Sequence, residues 1–440
     1  MTRLRLNDAV MHRRVLITGI GIVSAVGRTV AGLWESLTSL DDPESSDRNA
    51  APRHNGLQQG VADFTGRIDD FCELPAVTRK AIQKSLKLMN RETQMGVAAG
   101  QQALQDSGLL LNHDPERIGV CFGAENFPVM AEDFQSGVQA CSDGSGFDPN
   151  RWGQDGIPEV APLWLLKCLP NMPACHLAIL NDLRGPGNTI TQRDVSANMA
   201  IAEACRIIKD GTADAMVVGA TGTTLSSVDR RPSCLEDSVS NSRHEAVCRP
   251  FDLRRRESVP GEGAGVIVLE EMHSALRRGA SIYGEILGAG AASWMTQDSI
   301  VSGRTALVKA MRQTLQRADV ASDTLGHIHA HGLGTVMSDI AEAQAISQVL
   351  GDFAQTVPVV AAKSHLANAG AGSGMLELIA SLLALRHGHL FPVLNYSEAD
   401  PACPVRPVRN CHDAAGSCFL NLNLFGRGLA SCVAAGTFRG

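Results

Sequence analysis

Residues 185–220 read GPGNTITQRDVSANMAIAEACRIIKDGTADAMVVGA, and the fold is legible from this stretch. A Gly-Pro-Gly turn leads into a short extended segment, then a helix from about Val195, a turn at Gly211 and an apolar strand ending at Gly219. The tightest point is Asp194, at the junction between strand and helix. The free backbone N–H groups of a helix converge at such a point, which suits an anion, a developing oxyanion or a low-pKa nucleophile. Asp is also a preferred helix N-cap, and Ser196 could serve as one, so this position alone leaves cap and function open.

Working outward, the first strand spans residues 14–22 (RVLITGIGI), where Gly19 and Gly21 allow close backbone packing. Residues 1–13 read as a disordered leader and 41–60 as a polar surface loop. Apolar residues at helical spacing predict one half-buried helix over 78–107, with Arg79, Lys80, Lys84 and Lys87 crowded at one end. A strand at 117–122 follows, and 126–176 reads as an irregular insertion that covers something. After a polar segment to 249, strands are expected at 265–270, 283–289, 327–331, 357–362, 418–424 and 430–435, with helices at 304–317, 339–350 and 370–386. The alternation predicts an α/β fold with largely parallel sheets. It also suggests a duplication, with halves at 14–264 and 265–440.

The 440 residues carry a formal net charge of −7, which argues against a surface built for nucleic acid or an anionic membrane. No apolar run is long enough to insert in a membrane, and a cytoplasmic location is expected. The twelve cysteines are scattered through apolar stretches without a Cys-x-x-Cys pair, as buried reduced thiols would be.

His327, His329 and His331 alternate along one predicted strand and so share a face, an arrangement that could hold a metal. The glycine turn 332–334 favours another reading, in which His331 is presented as a base and its neighbours are hydrogen-bonded core residues, and no metal is expected. Lys363 and Asn368 follow a strand in KSHLANAGAGSG; Lys363 is either solvated or part of a site. Asp339 and Glu342 share a helical face and either orient Lys363 or cap the helix. The runs at Arg79–Lys87 and 254–256 read as solvated faces.

Together, RVLITGIGIVSAVG, RPFDLRRRESVPGEGAGVIVLEE, HAHGLGT, KSHLANAGAGSG and LNLFGRG resemble the β-ketoacyl-acyl-carrier-protein synthases, thiolase-fold condensing enzymes. The resemblance implies two fused βαβαβαββ halves in a five-layered α-β-α-β-α sandwich, usually dimeric, acting on acyl carrier protein without a cofactor. It carries a Cys-His-His site. On that pattern His331 matches the first catalytic His, and Lys363, Asp339 and Glu342 the supporting network. Asp194 stands at the nucleophilic Cys and Asn368 at the second His. Phe425, Gly426 and Arg427 fall in the gate and oxyanion region, with Arg427 where a gating Phe is usual. Arg79, Lys80 and Lys84 become candidate carrier-docking residues.

A thiolate exchanges acyl groups with a thioester at little free-energy change, whereas a carboxylate would have to form a mixed anhydride. The resemblance therefore points to a non-condensing subunit of the chain-length-factor kind, paired with a Cys-containing synthase or with itself. The alternatives are a malonyl-thioester decarboxylase or atypical synthase using His331 and Asn368, and a protein that only binds acyl ligands.

Overall fold

The computed structural model describes residues 13–39, 60–111, 114–125, 131–225, 247–426 and 428–440. Ten strands form one hydrogen-bonded sheet: β1 (Val15–Val23), β2 (Ile118–Ala124), β3 (Gly187–Thr191), β4 (Ala215–Thr223), β5 (Glu262–Glu271), β6 (Gly284–Ser293), β7 (His327–His329), β8 (Pro358–Val360), β9 (Cys418–Phe425) and β10 (Leu429–Gly436). Arg406–Pro407 adds a two-residue edge beside β8. The spatial order is β8-β7-β9-β10-β6-β1-β5-β4-β2-β3.

Within β1 to β5 the order is third, second, fourth, fifth, first, and β6 to β10 repeat it. The pairing directions repeat too. In each set the second strand runs parallel to the third and fourth, while the fifth runs antiparallel to the fourth and first. The sheet is therefore mixed, not largely parallel. A short turn such as that between β9 and β10 can only reverse the chain, because a parallel return needs a longer crossover. A short antiparallel bridge between β1 and β6, at Val15–Ile286 and its neighbours, joins the sets. The pairing of β5 with β1 and β4 puts the junction in the 272–283 connection, rather than at 264/265, which falls inside β5.

Five long helices complete the layers: α1 (Arg91–Ser107), α2 (Ser196–Lys209), α3 (Ser299–Ala318), α4 (Val336–Leu350) and α5 (Ser373–His387). The two-residue period of a strand explains how one sheet serves two cores. Met216, Val218 and Ala220 of β4 face a central core with α2 and α5, while Ala215 and Val217 face an outer core with α1. A third core lies under α3 and α4. Helix α5 is buried from Ser373 to Leu385, as the middle layer requires.

The close packing expected at Gly19 and Gly21 is present: a Cβ on Gly21 would stand 1.9 Å from the Ala99 carbonyl oxygen of α1. The single helix predicted over 78–107 is broken. A helix Ala76–Ser85 and a turn Leu86–Leu88 precede α1, because Asn90 Oδ1 accepts from the Thr93 N–H at 2.8 Å and starts a new helix as its N-cap. In the expected insertion, residues 131–168 fold into short turns around Phe134, which packs on Trp152 and Trp164; residues 126–130 lie outside the described residues, as do 1–12 of the expected leader. No described helix is long and apolar enough to cross a membrane.

Candidate active site

Asp194 occupies a single helical turn, Arg193–Val195, wedged between β3 and α2. Its N-cap alternative fails, since the cap position of α2 is Val195 and no side chain caps it. Ser196 does other work: its Oγ accepts from the Gln192 N–H at 2.8 Å and donates to the Ala124 carbonyl at 3.0 Å, tying the turn to the end of β2. Asp194 is 5% exposed, and its Oδ1 is buried with no hydrogen-bond partner among the described residues. A buried acceptor left without a donor costs about 1–3 kcal/mol, which a packed fold rarely tolerates away from a site.

His331 is fully buried just beyond β7, in a turn where Gly332 (φ +49°) and Gly334 (φ +81°) adopt left-handed backbone. Glu342 of α4 holds this turn by accepting from the His331 and Gly332 N–H groups at 2.6 and 2.8 Å. Asp339 does the same for the N–H groups of Gly334 (3.1 Å) and Phe251 (2.8 Å). Burial, and next the opposing N–H bonds and the nearby Asp339 charge, leave the Glu342 carboxyl pushed up to about 8. These two acids grip backbone instead of orienting Lys363. Arg255 is likewise not solvated: it is buried, 2.7 Å from Asp400 and 3.6 Å from Asp339.

The partner of Lys363 is Glu377 of α5, a residue the sequence reading missed. Nζ donates to the Glu377 carboxylate, to the His331 carbonyl at 2.8 Å, and to His331 Nδ1 at 3.2 Å. Those three acceptors use all three ammonium protons. Nδ1 of His331 is then an acceptor, so the ring proton sits on Nε2. Burial and the Lys363 charge hold this imidazole well below its ordinary pKa, so it is a neutral donor. Asn423 Nδ2 satisfies the other Glu377 oxygen at 2.8 Å. Burial, more than the nearby Asp194 charge, pushes the Glu377 carboxyl up. A lone Glu in the apolar run SGMLELIASLLAL was the available signal.

Asn368 Oδ1 accepts from the Gly370 N–H and Ser373 Oγ, both at 3.1 Å, leaving its Nδ2 donors without a partner among the described residues. The turn Gly370–Gly372, which follows Asn368, and α5, which carries the Lys363 partner Glu377, pack against the Asp194 turn. Phe425 ends β9 at the rim, with Gly426 beside it and the Arg193 guanidinium 5.0 Å from its ring centre; Arg427 lies outside the described residues. Arg79, Lys80 and Lys84 lie apart on the helix Ala76–Ser85, where Arg79 pairs with Asp69 and both lysines are exposed. His327 and His329 are hydrogen-bonded core residues, sharing Ser381 Oγ at 3.0 and 2.8 Å.

Two five-strand sets of one order, layered with helices around a site to which both contribute, define a thiolase-fold protein. The Beta-ketoacyl synthase, N-terminal domain family matches residues 12–275, and the Beta-ketoacyl synthase, C-terminal domain matches 283–397. This chain belongs to the β-ketoacyl synthase family. It is 32% identical to the 3-oxoacyl-[acyl-carrier-protein] synthase 2 of Vibrio cholerae, over 88% of this chain and 90% of that protein. It is 31% identical to the tetracenomycin polyketide synthase ketoacyl synthase alpha subunit of Streptomyces glaucescens, over 91% of each. Among solved structures, the ishigamide ketosynthase/chain length factor is similar at a TM-score of 0.74 and 25% identity, covering 97% of this chain and all of that one.

Proposed function

We propose that this protein is a non-condensing β-ketoacyl synthase homologue of fatty-acid or type II polyketide assembly, a chain-length-factor-like subunit that pairs with a Cys-bearing synthase. The observation that carries this reading is Asp194: a buried carboxylate at the nucleophile's junction, within an otherwise assembled His331–Lys363–Glu377 frame. A carboxylate there cannot take up an acyl chain from a thioester on favourable terms. Pairing is supported by the sheet, in which one edge of β3 is unpaired among the described residues whereas the opposite end is blunted by a two-residue strand ending in Pro407. Partner subunit, acyl carrier protein and docking through Arg79, Lys80 and Lys84 belong to the same proposal.

Intact-protein mass spectrometry after incubation with acyl and malonyl carrier protein tests it. The expected result is no adduct on the wild type and an acyl adduct on Asp194→Cys. An adduct on the wild type overturns the reading. A second reading is favoured by the donor state of His331: its Nε2–H and the Asn368 amide would polarise a thioester carbonyl and allow malonyl decarboxylation without covalent capture. CO2 released by the wild type and lost on His331→Ala would establish that activity instead.

A further inference from the structure

Around Asp194, charge is arranged in a way the synthase frame alone does not explain. The ammonium protons of Lys363 are taken by Glu377 and His331, and the His331 ring is neutral. The other cation that the described residues bring to this turn is Arg193. Its φ of +50° is uncommon for a residue with a side chain, and such backbone recurs at functional sites. The left-handed turn is where Arg193 and the adjoining Asp194 part company. Asp194 is buried, while the Arg193 side chain, 41% exposed, lies with its guanidinium 5.0 Å from the Phe425 ring centre and Nε 3.4 Å from Glu125 Oε2.

Glu125 directly follows β2 and is 7% exposed, and a Cβ on Gly370 would stand 3.2 Å from its Oε2. The Arg193–Glu125 pair thus reaches from the Asp194 turn to the Gly370 turn that holds Asn368. We propose that Arg193 recognises the free carboxylate of a malonyl-type acyl thioester at this site, resting on Glu125 until that carboxylate takes its place. The inference rests on the second reading, malonyl decarboxylation without covalent capture, and adds the residue that selects its substrate. A planar guanidinium, here 5.0 Å from an aromatic ring centre, presents its N–H groups in a rigid fork, which suits bidentate capture of a carboxylate. The exchange trades the Glu125 contact for one to the incoming carboxylate, so Glu125 competes with the ligand. No bond to carbon is made or broken.

Carrier protein loaded through an amide in place of the thioester, with either a malonyl or an acetyl group, makes the carboxylate the only variable. The wild type is expected to bind the malonyl form more tightly. Arg193→Gly keeps the left-handed backbone accessible and is expected to cut the malonyl-over-acetyl ratio roughly tenfold, with Arg193→Lys restoring part of it. Glu125→Gln removes the competing charge and is expected to raise malonyl affinity; a fall would overturn the exchange. An unchanged ratio in Arg193→Gly overturns the assignment of Arg193 and leaves the decarboxylating reading standing. Binding of neither form by the wild type, beside a control synthase that binds both, overturns that reading and the inference with it.

Discussion

Lys363 and Glu377 show how a buried charge is stabilised here by geometry more than by its sign. Both side chains are 1% exposed, and every proton and lone pair the pair presents to the other or to His331 and Asn423 is engaged. Truncating one partner leaves the other charge uncompensated. Lys363→Met or Glu377→Leu alone is therefore expected to lose about 3–5 kcal/mol of stability, and the two combined to recover most of it. Urea unfolding of the two single variants and the double measures the coupling, and additive losses would refute it. The sequence made Lys363 a candidate, yet nothing in the spacing of Asp339 and Glu342 separated a hold on backbone from a hold on Lys363. That choice depends on where a turn of β7 passes relative to α4, a tertiary distance.

At the scale of elements, β7 carries a pH dependence. His327 donates from Nδ1 to the Ala415 carbonyl region (2.8 Å) and meets Ser381 through Nε2, fully buried, and burial lowers its pKa to about 4. The unfolded chain takes up a proton here near pH 6.5 and the folded chain only near pH 4, so acid favours unfolding. Stability from this residue is complete above pH 6.5 and drains away as the pH falls to about 4, by about 3 kcal/mol in all. His329 and His331, also lowered by burial, act in the same direction. Urea midpoints across this range should fall with acid and fall less in His327→Gln; a flat profile in the wild type would contradict buried neutral rings. The contact of α1 with β1 gives a second element test. Gly21→Ala drives a methyl into the Ala99 carbonyl, and the helix must lift, at a cost of about 1–3 kcal/mol or more in thermal or urea unfolding.

For the whole molecule, the edge of β3 that is unpaired among the described residues makes a prediction about assembly. The register of Val120 with Gly187 turns the Thr189 N–H away from β2, and Asn188 Oδ1 accepts it at 2.8 Å. Thr189→Pro removes that outward donor and keeps the inner ladder. It is expected to abolish co-purification with a Cys-bearing synthase, or self-association, in native mass spectrometry; a complex that survives would place the interface elsewhere. The sequence by itself determined the α/β class, the duplicated order of elements and the residues worth watching, because hydrophobic period and turn chemistry are local and are written along the chain. Asp194, at the junction of strand and helix, stood out there as well. Only the tertiary structure decided that the sheet is mixed, that β5 closes the first set, that Glu377 neutralises Lys363, and that Arg193 meets Glu125 and Phe425. Each of these joins residues from separate segments, in most cases far apart in the chain, and their relative placement is set by how three cores pack, which no local pattern encodes.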